Sequence, residues 1–141
     1  MITTDEVIRM TSAQLRIEAA KLDGWTECQI DRGQPFGVVP ELYTGYPYSE
    51  ILPDYLNDWD AAMSLVEKLQ EAGFIVILTF PHDGNLNAIR VIHGMALGCP
   101  PVEIVNNPHL FKPSDIVAEG QEDSIKRAIT RAFILAMDGV A

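Results

Sequence analysis

The run Phe74-Ile75-Val76-Ile77-Leu78-Thr79-Phe80 constrains the fold more than any other part of the chain. Its β-branched and aromatic residues favour a strand. Its unbroken apolar character predicts burial on both faces. Pro81-His82-Asp83-Gly84-Asn85 follows, and the Asp-Gly pair supports the positive φ angles of a tight hairpin turn. Leu86 to His93 then returns antiparallel. A chain built around this hairpin needs an antiparallel sheet and something apolar to cover it.

The covering elements read as helices. Thr3 or Thr4 can cap a first helix, with Asp5 and Glu6 placed well against the helix dipole. Val7, Met10, Leu15, Ile17, Ala19 and Leu22 supply an imperfect apolar stripe, and Thr11-Ser12 is a point at which it divides into two short helices. Gly24 reads as the stop. Asn57 or Asp58 caps a second helix, in which Trp59, Ala62, Met63, Val66 and Leu69 fall at helical spacing and Gly73 ends the run. A last helix is expected from about Gln121 to Met137. Its apolar face is Ile125, Ala128, Ile129, Ala132, Phe133 and Ala136, Glu122 and Asp123 occupy its first turn, and Gly139 follows as a stop.

Between these lie weaker signals. Trp25–Ile30 and Phe36–Val39 are short strand candidates around a turn at Asp31-Arg32-Gly33-Gln34-Pro35. Residues 40–53 read as an irregular Tyr/Pro-rich loop or arm, and residues 94–101 as a Gly/Pro-rich loop. Val102 to Val105 is a further strand candidate. Residues 106–119 read as loop, with a short turn of helix at Ser114–Val117. The expected class is α+β, a layered α/β sandwich with a small antiparallel sheet packed by about three helices. The 141 residues suit a single domain spanning 1–141.

Two segments carry a family resemblance. One runs from Leu52-Pro53-Asp54-Tyr55-Leu56-Asn57-Asp58-Trp59-Asp60-Ala61-Ala62 through Val66-Glu67-Lys68-Leu69. The other is Ser124-Ile125-Lys126-Arg127-Ala128-Ile129-Thr130-Arg131-Ala132-Phe133 and onward to Met137. With the N-terminal helix and Gly24-Trp25, they resemble the phage ABA sandwich domain family of small bacteriophage and prophage proteins. The resemblance implies a layered sandwich and a viral origin, and it carries no established activity. The Tyr43–Tyr48 region and residues 94–101 look like elaborations on the family pattern.

Charge narrows the function classes. Ten Lys and Arg stand against 20 Asp and Glu, a formal net charge of −10. Nonspecific binding of a long nucleic acid needs Lys and Arg to displace counterions, so no such partner is expected. Anionic membrane surfaces are disfavoured for the same reason. No apolar run is long enough to span a bilayer. The N-terminus does not read as a signal peptide. A cytoplasmic location is expected, in the host cell if the gene is phage-borne. Cys28 and Cys99 imply no disulfide framework.

No phosphate-binding glycine loop, nucleophile elbow, Cys-x-x-Cys or zincin motif occurs, and no catalytic residue, metal site or cofactor is assigned. His82 and Asp83 at the hairpin tip read either as an acid/base pair or as turn chemistry. His93 and His109 are scattered, and Cys28 and Cys99 show no activating neighbours. Arg127 and Arg131, at i,i+4 on the last helix with Lys126 beside them, form the densest basic group. They read either as a solvated face paired with Glu122 and Asp123 or as an anion site, which Arg90 joins if the sheet packs near that helix. Tyr43, Tyr46, Tyr48 and Tyr55, with Trp25, are candidates for stacking or for a partner contact. Trp59 reads as core. The leading expectation is a non-enzymatic accessory protein that binds a small anionic or nucleotide-like host molecule or blocks a host protein, as a homo-oligomer. A small hydrolase using the histidines and a structural phage component are the alternatives.

Overall fold

The computed structural model describes residues 2–39, 49–79, 87–93, 116–122 and 124–140; for residues 79, 87–90, 92, 93, 116–122 and 140 it describes the backbone alone. The class is α+β. Among the described residues, four helices pack with two three-stranded antiparallel sheets.

The first helical stretch divides where the Thr11-Ser12 pair predicts. α1 spans Thr4–Arg9 and α2 spans Ser12–Leu22. Thr3 caps α1 by accepting from the Glu6 amide. Thr11 caps α2 in a full capping box, its hydroxyl accepting from the Gln14 amide while the Gln14 side chain accepts from the Thr11 amide. Two self-sufficient caps eight residues apart make two short helices more stable than one interrupted one. The chain leaves α2 at Gly24, whose φ of 102° suits glycine.

β1 (Thr26–Asp31), β2 (Gln34–Val38) and β3 (Ser49–Ile51) form the first sheet in that order. The β1–β2 turn is tighter than the sequence suggests. Asp31 pairs with Gln34, so the loop is Arg32-Gly33, with φ angles of 51° and 79°. Two positive φ angles match the twist of a two-residue hairpin. Gly37 on β2 is required by crowding. A Cβ there would lie 2.8 Å from Leu52 Cδ2 and 3.2 Å from Cys28 Sγ. β3 corrects the expectation that residues 40–53 are irregular throughout: Phe36, Gly37 and Val38 pair with Ile51, Glu50 and Ser49. An open strand edge captures a segment with little β signal of its own.

α3 spans Trp59–Glu71, capped by the Asp58 carboxylate on the Asp60 amide. Its buried stripe is Ala62, Leu65, Val66 and Leu69. Trp59 and Met63 are 45% and 38% exposed, so the expectation that Trp59 is core is wrong. Including Leu65 rotates the stripe and leaves Trp59 at its margin.

β4 (Phe74–Thr79), β5 (Asn87–His93) and β6 (Ile116–Glu122) form the second sheet, in chain order. β4 and β5 pair in the antiparallel sense the central hairpin requires, Phe74 with His93 and Thr79 with Ala88. β6 corrects the loop and helical-turn reading of residues 106–119 and Ser114–Val117 over 116–119, because Ile116 to Glu122 pair along β5, while residues 106–115 lie outside the described residues. It also moves the start of the last helix. Gln121 and Glu122 pair with Ala88 and Asn87, so α4 spans Ile125–Val140 and has no acidic residue in its first turn. Gly139 is the helix's penultimate residue, not a stop beyond it.

α4 is the hub. It packs on β5, β6, α1, α2 and α3. Ile125, Ala128, Ile129, Ala132, Phe133, Ile134 and Ala136 are all buried in one cluster with Val7, Leu15, Leu52, Tyr55, Leu65, Leu69 and Val91. Thr130 is buried among them and donates its hydroxyl to the Lys126 carbonyl at 2.9 Å. Among the described residues, no helix is long and apolar enough to cross a membrane.

Candidate anion site

The basic group of α4 does not act as a trio. Each helical residue turns about 100°, so Arg127 and Arg131 lie about 40° apart while Lys126 lies about 100° from Arg127. Lys126 points toward α3. Its Nζ sits 5.0 Å from the centroid of the Trp59 ring and donates to the Asn57 carbonyl at 3.3 Å. That contact ties α4 to the start of α3. Lys126 therefore stands apart from the Arg127–Arg131 pair.

Arg127 and Arg131 point the other way, toward the α1–α2 corner. Arg127 Nη2 donates to Ser12 Oγ at 2.9 Å, and Arg131 Nη2 donates to the Ile8 carbonyl at 3.4 Å. Burial lowers the Arg131 guanidinium below its ordinary value, which still leaves it charged at neutral pH. Arg127 meets the neutral Ser12 hydroxyl, while Asp123 and the Glu122 side chain, the other half of the solvated-face reading, lie outside what the structure describes.

Ser12 is the first residue of α2, immediately after its Thr11 cap. A helix start carries partial positive charge from its unpaired amides. The Arg127 guanidinium and the start of α2 thus converge, and an anion there would meet a planar donor fork beside backbone donors. Asp138, about two turns beyond Arg131 along α4, accepts from the Ile2 amide.

Arg90 is on β5, paired with Ile77 and Glu119; its side chain lies outside what the structure describes. Tyr43, Tyr46 and Tyr48 lie outside the described residues, as do His82, Asp83, His109 and Cys99. Tyr55 is removed from the stacking candidates. It is fully buried, and its hydroxyl donates to Asp23 Oδ2 at 3.1 Å. Asp23 is also held by Lys68 at 2.9 Å. Burial first, then the Asp23 charge, pushes the Tyr55 phenol well above the ordinary tyrosine value. Cys28 is a free, partly buried thiol, and burial pushes it up as well, against the needs of a nucleophile.

A hollow of about 330 Å³ between α1 and α2 is lined by Glu6, Arg9, Met10, Gln14 and Glu18. None of the candidate residues lines it, and its two carboxylates suit an anion poorly. Among the described residues, no group of three or more His, Cys, Asp or Glu is placed to hold a metal ion. No family model matches the chain, and no curated protein or solved structure matches it either.

Proposed function

We propose that this chain is a binding protein for a compact phosphate-bearing anion, held by Arg127 and Arg131. The resemblance to the phage ABA sandwich family supports a phage-encoded, non-enzymatic accessory role as its setting, in which such binding would sequester a nucleotide-like host molecule. The observation that carries the reading is the direction of the two guanidiniums. They lie on one ridge of α4, against the Ser12 hydroxyl and the Ile8 carbonyl, and one of them stands at the positive end of α2. An anionic oxygen forms a hydrogen bond with a guanidinium roughly twice as strong as a neutral one.

Calorimetric titration with pyrophosphate and with ADP tests it. Binding is expected for the natural chain and is expected to be lost in the Arg127→Ala, Arg131→Ala double variant, with far-UV circular dichroism unchanged. Equal affinity in that variant overturns the proposal.

A further inference from the structure

Among the described residues, the large apolar side chains left exposed are Ile8, Ile30, Ile51, Trp59 and Met63. Apolar residues scattered singly over a surface need no explanation. Ile8 is on α1. Ile30 pairs with Pro35 and Ile51 with Phe36, so the two isoleucines sit on opposite faces of the first sheet. Trp59 and Met63 are different. They stand at i,i+4 on α3, one turn apart on the same side of the helix.

The two flanks of this pair differ in charge. At about 100° per residue, Met63 lies about 40° round α3 from Trp59, and Glu67, Asp60 and Glu71 follow at about 80°, 100° and 120°. All three acidic residues are exposed. The nearby lysines are engaged elsewhere, Lys68 with Asp23 and Lys126 over the Trp59 ring and on the Asn57 carbonyl. Among the described residues, no ion pair neutralises the three carboxylates. The α3 shoulder is thus an apolar pair with three carboxylates on its solvent side and a single cation, Lys126, on its α4 side.

We propose, independently of the anion site, that this shoulder is a docking surface for a cationic amphipathic helix of another protein. Trp and Met are enriched at interface centres, and Trp is over-represented among the residues that carry binding energy. The apolar stripe of such a helix would cover Trp59 and Met63. Its Lys and Arg would reach Asp60, Glu67 and Glu71, which fixes the side on which the partner's charge must lie. The same charges disfavour a second copy of this chain, which would bring the same three carboxylates and its own net charge of −10 to the contact. They disfavour an anionic bilayer in the same way.

Fluorescence titration of the full chain tests this with two synthetic peptides. One is a helix-forming peptide of leucine and lysine, with leucine at i, i+3, i+4 and i+7. The other has serine in place of leucine and the same charge. The leucine peptide should bind and shift tryptophan emission to the blue, and the shift should vanish in Trp59→Phe. Met63→Glu should weaken binding at least about tenfold, while Met63→Leu keeps it. The triple variant Asp60→Asn, Glu67→Gln, Glu71→Gln should weaken it about tenfold. All of these side chains are exposed, so the core is untouched, and thermal unfolding checks that the variants fold. Absence of binding by the leucine peptide overturns the docking surface, as does a blue shift that survives Trp59→Phe. Equal binding by the serine peptide, by Met63→Glu or by the triple variant overturns it too, because net charge alone would then account for the attraction. Sedimentation of the free chain should show a monomer. A dimer that dissociates in Met63→Glu would assign the shoulder to a second copy and overturn the proposal.

Discussion

Asp23 shows how one carboxylate can organise three elements. It ends α2, accepts the hydroxyl of the buried Tyr55 at 3.1 Å and meets Lys68 of α3 at 2.9 Å. A carboxylate at a helix C-terminus opposes the dipole, so the lysine and the phenol offset a local cost. Because burial and the Asp23 charge favour the neutral phenol, folding is linked to pH at the alkaline end. The folded value lies above the unfolded value of about 10, so the stabilisation is full below pH 10 and is lost as pH rises above it. Tyr55→Phe should cost about 1.5–3 kcal/mol at neutral pH, through loss of a hydrogen bond to a charged group. In urea unfolding from pH 9 to 12, that variant should lose less stability with pH than the natural chain. Parallel slopes would show that the phenol does not carry the linkage. Nothing in the sequence marked Tyr55 as core. It stands among Pro53, Asp54 and Asn57, and only its Leu52 and Leu56 neighbours, both buried, hinted at an inward turn.

Among the elements, those defined by their own residues were legible and those defined by a neighbour were not. The β4–β5 pair, α3 and its Asp58 cap, and the break at Thr11-Ser12 all follow from local pattern. β3 and β6 do not. Ser49–Ile51 has three residues, and Ile116–Glu122 contains Gly120 and two glutamates. Each becomes a strand because β2 or β5 offers it an unpaired edge. That gain also outweighed the dipole benefit of Glu122 at a helix start and delayed α4 to Ile125. The two α4 arginines were legible for the same local reason, their i,i+4 spacing. Their cover was not, because Ser12 lies 115 positions from Arg127 and Ile8 lies 123 from Arg131. The local rules can be tested where they are strongest. Thr11→Ala removes the hydroxyl half of the capping box, leaving the backbone amide on Gln14, and should destabilise the protein by about 0.5–2 kcal/mol in chemical unfolding. It should also raise hydrogen exchange in the first turn of α2. A loss confined to α1 would mean that α2 takes its start from tertiary packing instead.

At the scale of the whole molecule, the net charge of −10 and the arginine ridge pull in opposite directions. An approaching anion first meets the summed repulsion of the acidic surface and feels the guanidiniums only at short range. Salt acts on these two parts unequally. At about 0.15 M the screening length is roughly 8 Å, which removes most of the long-range repulsion but little of a contact interaction. The association rate of pyrophosphate should therefore rise as salt increases from about 0.01 to 0.15 M, the reverse of what electrostatic steering gives a cationic site. Stopped-flow mixing under these conditions checks it, and a rate that falls with salt would mean the local field of α4 outweighs the acidic surface even at long range. A duplex DNA differs in kind. Its phosphates extend well past the ridge and face the acidic surface along their length, so no compensating counterion release is available. The same experiment with duplex DNA should show no binding at either salt concentration, which would separate recognition of one compact anion from attraction to phosphate in general.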